Sequence, residues 1–369
     1  MTARCLVVSA INFTEGGPLT VLREFVAAAS ELLPSEWKIV VFVHDRHLLD
    51  ETRPIYIEMP DAKRNWLRRM YIEWRGFRAY ARELEPDLWI SLHDTTPSVG
   101  AIRQAVYCHN PMPFYRMRLR DMWLDPTAIL FRFCYQIVYR IHIRRNYAVV
   151  VQQSWLREEF RNWVGGATRI IVAHPAIAPP ATLAAARQPS SGGGARFLYP
   201  ALPRVFKNIE LICRAVSHLE QSGSWHSETI LTIDGKENRY ARWLWRQFGR
   251  LKTVRFAGRQ TPQQMRLIYQ ATDCLIFPSL LETWGLPMTE AKQLGLPMFV
   301  ADLPYAHETL GRYERVAFID VSDHLGLAGK MLQFQSGSYD FAESWNAEPA
   351  TPYARDWRDL LALLTDGMS

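Results

Sequence analysis

No run of eighteen apolar residues occurs in the chain, so no transmembrane helix is expected. The segment nearest to one, residues 128–138, is interrupted by Arg132. Cysteine is scarce. The five thiols (Cys5, Cys108, Cys134, Cys213, Cys274) are odd in number and lack CxxC spacing, which argues against a disulfide framework and a zinc site. Most fall in apolar runs, where reduced Cys acts as a small hydrophobe, so a reducing compartment is expected. The opening MTARCLVVSAINF has too short an apolar stretch for a secretory signal and no small-residue cleavage site. A cytoplasmic protein is expected, at most peripheral at the inner face of a membrane. GxGxxG is absent, which disfavours a dinucleotide cofactor. There is no DxD pair and no His/Cys cluster, and Asp45-Arg46-His47 lacks a second cluster, so neither a catalytic metal nor another cofactor is expected. No internal repeat is found.

What is present is ordinary for a folded chain: 369 residues, 48% hydrophobic, 22% charged and 12% aromatic. That length supports two domains with sizeable cores. The net charge of +6 favours polyanionic partners, namely phosphorylated substrates, membranes or nucleic acid.

The chain opens with an apolar run, residues 3–10, then a loop holding Gly16 and Gly17, then a helical pattern over 19–33 with Pro18 in its first turn. Strand, glycine loop and helix in that order let backbone approach a ligand. A second strand covers 38–43. Residues 62–85 follow, with Trp66, Met70, Trp74, Phe77, Tyr80 and Ala81 at helical spacing and arginines over most of the rest. This reads either as a basic amphipathic helix on an anionic membrane surface or as a helix packing its stripe on a sheet. Strands are expected at 88–92 and 104–108, ending at His93 and at His109-Asn110-Pro111. A histidine at the carboxyl end of a parallel strand can hydrogen-bond a sugar hydroxyl or phosphate oxygen. A second basic–aromatic patch covers 112–146, and no nucleic-acid-binding signature accompanies it.

Residues 175–195, PAIAPPATLAAARQPSSGGGA, read as an interdomain linker. Domains are placed at 1–178, 179–352 and a terminal helical segment at 353–369. The second domain opens with a strand at 197–199. Arg204 and Lys207 then precede a helix from Ile209, where cations can meet a diphosphate. Strands at 228–233 and 253–257 lead into Asp234-Gly235 and Gly258-Arg259. Thr261-Pro262-Gln263-Gln264 has the form of a helix cap.

The most informative stretch is 274–311. A buried strand (274–277) passes through Pro278-Ser279 into a loop with Glu282, Thr283, Trp284, Gly285 and Leu286. A helix then carries Glu290, and a second strand covers 298–301. Helix-start amides suit a phosphate, and paired carboxylates suit vicinal hydroxyls, which together suggest a nucleotide-sugar.

This string resembles the E-x7-E region of retaining glycosyltransferases of family GT4, which have the GT-B fold. The match takes in Pro278-Ser279, Glu282, Gly285-Leu286-Pro287, Glu290-Ala291, Gly295-Leu296-Pro297 and Glu308. The resemblance implies two Rossmann-like α/β domains facing across a cleft, with the C-terminal helix (353–364) crossing back to the first domain. It implies a hexosyltransferase whose donor is a nucleoside-diphosphate sugar, a GDP-sugar being the first guess. Glu290 would lie on the ribose, Glu282 on sugar hydroxyls, Lys207 and Arg204 on the diphosphate, with backbone from Thr283 to Leu286 completing the site. Gly235 and Gly258 would lie near the donor. His109 would face the donor sugar, with Gly16 and Gly17 near the reacting centre. Arg204 departs from the family pattern: Leu202 holds the usual arginine position. The wording around 200–208 and 282–285 is similar to bacterial polysaccharide and O-antigen enzymes, implying a mannosyl or deoxyhexosyl unit passed to a lipid-linked or growing polysaccharide. A soluble small-molecule glycosyltransferase, a phosphorylase or a non-enzymatic nucleotide-sugar binder are the alternatives.

Overall fold

The computed structural model describes residues 4–101, 103–166, 168–175 and 194–368. Its strands are β1 (Cys5–Ala10), β2 (Lys38–Val43), β3 (Ile55–Glu58), β4 (Leu88–Ser91), β5 (Arg103–Cys108), β6 (Ala148–Val151), β7 (Arg169–Ala173), β8 (Arg196–Tyr199), β9 (Glu228–Leu231), β10 (Val254–Phe256), β11 (Cys274–Phe277), β12 (Met298–Ala301), β13 (Tyr313–Ile319), β14 (Ala342–Ser344) and β15 (Tyr353–Ala354). They form two sheets, β3-β2-β1-β4-β5-β6-β7-β15 and β14-β13-β12-β11-β8-β9-β10, parallel except at β13–β14. Both wind outward from their first strand in the order of a Rossmann sheet, giving a two-domain GT-B fold.

By internal contacts the chain divides into two compact units. One holds the described residues to Phe114, from Arg132 to Pro175, and from Pro349 on. The other holds Tyr115–Phe131 and the described residues from Gly194 to Glu348. The 175–195 linker and the 178/179 boundary fall largely within 176–193, outside the described residues. Residues 115–131, expected in the first domain, belong to the second unit. Arg120 pairs there with Glu210, Asp125 pairs with Arg204 at 3.1 Å, and Tyr115 packs edge-on to Phe206.

In the first unit the sheet is covered on both faces, so its strands read as near-continuous apolar runs. Alternation divides them. Leu6, Val8, Ile39, Val41, Leu88 and Ile90 face one core with Leu22, Phe25 and Val26 of the helix Gly16–Leu32. Val7, Val40, Phe42 and Trp89 face another with Ile72, Phe77 and Ala81.

The terminal helix, expected over 353–364, starts at Trp357. Tyr353–Ala354 instead add β15 to the sheet edge beside β7. Asp356 caps the helix through the Asp359 amide, and Trp357 packs edge-on to Phe25 at 5.6 Å. The C-terminal segment thus returns to the first unit.

Residues 62–85 are not one amphipathic helix. A 3₁₀ turn (Pro60–Lys63), a helix (Trp66–Tyr71), a π turn (Ile72–Gly76) and a second helix (Phe77–Leu84) succeed one another. Phe77 and Ala81 join the core whereas Trp66 is exposed. Arg69 is buried against Glu73 at 2.6 Å and donates to the His93 carbonyl. Glu73 also accepts from Thr95, and His93 Nδ1 lies 3.2 Å from it. The stripe therefore packs on the sheet, and one of its arginines is an interior ion pair.

Candidate active site

In an open parallel sheet the strand order reverses at one place, and the loops leaving the carboxyl ends there diverge and leave room for a ligand. In the second unit that place lies between β8 and β11.

The loop after β8 ends in a 3₁₀ turn, Val205–Lys207, followed by Asn208 in left-handed conformation (φ 53°). Asn208 Nδ2 donates to the Pro278 and Val321 carbonyls, and the Leu280 amide donates to the Phe206 carbonyl at 2.7 Å. These bonds stitch the β8 exit to the β11 exit. Lys207 Nζ accordingly reaches Glu282 Oε1 at 2.5 Å, although 75 residues separate them.

After Glu282 the chain turns through Gly285, which starts the helix Leu286–Gln293 with φ 88°. That left-handed φ is what calls for glycine, while a Cβ there would displace only the flexible Met288 methyl. The Trp284 indole donates to Thr289 Oγ1 at 3.0 Å, and its carbonyl accepts from Thr309 Oγ1. The first bond holds the loop against the helix's first turn, whose leading amides have no intrahelical partner, and the second ties the loop to the helix Pro304–Leu310. Leu286 begins that turn and is exposed. Glu290 lies one turn in, where Tyr269 Oη donates to its Oε2 at 2.6 Å. Burial raises the Glu290 pKa, and the tyrosine bond opposes that rise. Burial and the adjacent carboxylate push the Tyr269 phenol well up, so it stays a donor.

The structure thus brings Lys207, Glu282, Thr283, Trp284, Gly285 and Leu286 to one switch point, with Glu290 on the helix that follows. Arg204 lies on the same loop, but its guanidinium pairs with buried Asp125. Gly235 and Gly258 sit together beyond β9 and β10: the Gly258 amide donates to the Ile233 carbonyl, and a Cβ on Gly258 would touch Asp234. The Gly235 amide is taken by Glu237, and a Cβ there would lie 2.7 Å from Trp245. The left-handed φ of 86° at Gly235 also calls for glycine.

In the first unit, Gly16 and Gly17 form the opening turn of the helix Gly16–Leu32, three residues earlier than the pattern suggested. The loop before it places Phe13 edge-on to the His109 ring at 5.5 Å. Asp94, itself at φ 72°, accepts from the His109 amide (2.5 Å), the Asn110 amide (3.1 Å) and Tyr139 Oη (2.7 Å). Desolvation lowers the His109 pKa against the opposing pull of Asp94. A hydrogen bond to the Leu92 carbonyl occupies the ring, while Nε2 is buried without a partner. The ring is therefore a neutral imidazole offering an acceptor nitrogen. Three further unpartnered buried atoms, Asn12 Oδ1, His44 Nδ1 and His93 Nε2, follow β1, β2 and β4 at the same carboxyl edge. Burial lowers the His93 pKa to about 4.

Sequence reasoning missed Asp125, Tyr269, Asn12 and His44. Asp125 before Pro126 carries a helix-cap signal, which the structure bears out through Thr127 and Ala128. Its pairing with Arg204 had no local sign. Among the described residues, no group of three or more His, Cys, Asp or Glu is placed to hold a metal ion.

Comparison with known proteins bears on the fold and on the second unit. Residues 194–348 match the family profile for glycosyl transferases group 1. No curated protein matches the chain by sequence. Among solved structures, it is similar to a sucrose-phosphate synthase from Thermosynechococcus elongatus (TM-score 0.62, 15% identity, covering 91% of this chain and 90% of that one). It is also similar to the lipopolysaccharide outer core galactosyltransferase WaaB (0.59, 13%, 90% and 90%) and to Anabaena Alr3699/HepE in complex with UDP and glucose (0.59, 13%, 89% and 89%). At these identities the structural likeness speaks for the fold. Together with the profile match it supports a glycosyltransferase.

Proposed function

We propose that the protein transfers a hexosyl unit, with retention, from a nucleoside-diphosphate sugar to a hydroxyl of a lipid-linked or growing polysaccharide acceptor. The observation that carries this reading is the Lys207–Glu282 pair at the switch point of a sheet whose next helix carries Glu290. Lys207 takes the diphosphate, with Arg204 beside it. Helix-start amides from Thr283 to Leu286 share the charge that develops as the diphosphate leaves. Glu290, with one oxygen on Tyr269, offers the other to ribose hydroxyls. Glu282 accepts sugar hydroxyls. These groups meet the diphosphate charge without a bound metal, and none is part of the proposal.

Anabaena Alr3699/HepE has been solved in complex with UDP and with UDP-glucose, which supports a nucleotide-sugar donor here. A GDP-sugar carrying mannose or a deoxyhexose remains our first choice of donor, and the test below decides the base. On the acceptor side, the three unpartnered atoms on Asn12, His44 and His93 support a ligand rich in hydroxyl groups at the carboxyl edge of the first sheet. We name no protein base: in front-face attack the leaving phosphate takes the acceptor proton. A lipid-linked acceptor would place the enzyme at the cytoplasmic face of a membrane. A non-enzymatic nucleotide-sugar binder is the second reading, favoured only by the hold of Asp125 on Arg204.

The test is thermal stabilisation by GDP, UDP, dTDP and ADP, in the wild type and in Glu290→Ala. One base should raise the melting temperature, by about 2.7 kcal/mol of stabilisation at a hundred times its Kd, and the variant should lose the shift. Absence of any shift at millimolar nucleotide would refute the donor site. Transfer from the matching sugar nucleotide, lost in Glu282→Gln, separates the enzyme from the binder.

A further inference from the structure

Asp125 is buried in the second unit and does not depend on Arg204 for its place. The chain just ahead of it is tied down twice. Arg120 pairs with Glu210, whose other oxygen accepts from Tyr240 Oη, and Arg239 Nη1 donates to the Trp123 carbonyl at 2.9 Å. The Asp125 amide donates to the Asp121 carbonyl at 2.8 Å. Asp125 Oδ1 accepts from Thr127 Oγ1 (2.8 Å) and from the Ala128 amide (3.1 Å), capping the helix that begins at Pro126. One oxygen is thus used locally, and Oδ2 is left facing Arg204 Nε at 3.1 Å.

A carboxylate so deeply buried needs a cation beside it. Arg204 supplies that cation side-on. The contact is at Nε, and among the described residues neither Nη1 nor Nη2 donates a hydrogen bond to protein. The arginine side chain is 31% exposed against 4% for its partner, so its free end faces outward. A guanidinium is a rigid planar fork, and fixing Nε also fixes the direction of the two terminal nitrogens. A lysine here would face either the carboxylate or a ligand; an arginine can face both. Arg204 also opens the 3₁₀ turn of Lys207, whose amide donates to the Arg204 carbonyl at 2.9 Å. Fork and ammonium therefore leave a single turn of backbone, on the exit of β8 at the switch point.

We infer that Asp125 is a positioning residue for the donor diphosphate: it holds Arg204 by Nε and leaves Nη1 and Nη2 to hydrogen-bond a phosphate. Two oxygens of one phosphate match that terminal fork, whereas an uncharged ligand gains nothing from it. The hold on Arg204, which the binder reading takes as its withdrawal, is then what orients it. This role rests on the donor site proposed above.

The experiment is calorimetric titration of the full chain with GDP, UDP, dTDP and ADP, and with the uncharged nucleoside of whichever base binds. Asp125→Asn removes the charge and keeps a good helix cap. Its Kd for the nucleoside diphosphate should rise about tenfold, the lower end of what one charge-assisted hydrogen bond carries, while Kd for the nucleoside moves by less than about twofold. Arg204→Gln should weaken the diphosphate at least as much. Adding Asp125→Asn to Arg204→Gln should then change nothing, because the carboxylate acts through the guanidinium. Arg204→Lys leaves the buried carboxylate its cation, so it reports without disturbing the fold around Asp125; it should lose nearly as much as Arg204→Gln. Tighter diphosphate binding by Asp125→Asn would make the carboxylate a competitor for Arg204, and unchanged binding with a lowered melting temperature would make the pair structural. Either result overturns the inference. Equal loss for nucleoside and diphosphate, additive effects of the two substitutions, or full binding by Arg204→Lys would do the same. If the wild type binds no nucleoside diphosphate, the donor site falls and this role with it; if wild type and Asp125→Asn bind alike, the role alone falls.

Discussion

Lys207 and Glu282 give the sharpest test, because their two substitutions should move nucleotide binding in different directions. With side chains 17% and 13% exposed, the pair lies between a surface bridge worth under about 1 kcal/mol and a buried one whose disruption costs about 3–5. Stability should therefore fall by roughly 1–3 kcal/mol in either variant. Binding should separate them. In Lys207→Met the diphosphate loses a charge-assisted hydrogen bond, worth about 1.5–3 kcal/mol, so Kd for the free nucleotide should rise about 10- to 150-fold. In Glu282→Gln the ammonium loses the carboxylate that competes with phosphate for it. Binding of the bare nucleoside diphosphate should be unchanged or tighter, while sugar transfer falls about a hundredfold or more. Calorimetry with the best nucleotide of the panel gives the first quantity, and initial rates with its sugar nucleotide give the second. If both variants weakened nucleotide binding equally and the double variant did no more, the pair would be a structural clamp and the assignment of Lys207 to phosphate would be wrong.

Two further outcomes are expected. His93 is buried neutral, with a pKa lowered to about 4 by desolvation, so below its ordinary value near 6.5 the unfolded chain binds the proton first. Its contribution to stability is complete above pH 6.5 and is lost as pH falls towards 4, about 3 kcal/mol in all; urea unfolding from pH 7.5 to 4.5 should show a shallower slope in His93→Gln, and equal slopes would count against a buried neutral imidazole. Trp357 is 6% exposed and packs between Phe25 and Tyr107, so Trp357→Ala should cost about 3–5 kcal/mol in chemical unfolding, whereas a cost under about 1 kcal/mol would mean that the returning helix contributes little to the first unit.

The strand–loop–helix–strand unit of 274–301 was legible in the sequence because every signal in it is local. Four apolar residues suit a strand covered on both faces, Gly285 supplies a left-handed turn, and Pro287 falls where a helix start needs no amide hydrogen. The capping box at Thr261 and Gln264 formed as read, for the same reason. Boundaries were less legible. Tyr353 and Ala354 carry no signal that distinguishes a helix start from an edge strand, and β7 decides the matter by lying beside them.

The sequence by itself determined the two α/β sheets, their turns and the residue types at the donor loops, since strand and helix periods and caps are written within a few residues of where they act. Only the tertiary structure decided which of those residues meet. Lys207 reaches Glu282 because each sheet winds outward both ways from its first strand and sets β8 beside β11, across 75 intervening residues. Arg204 is claimed by Asp125 because residues 115–131 fold with the second unit. Arg69 and Glu73 stand at ordinary i,i+4 helical spacing, and the pair is buried because it meets His93 and Thr95 beyond β4. Burial and pairing depend on what lies beside a side chain in space, and a single sequence does not state that distance.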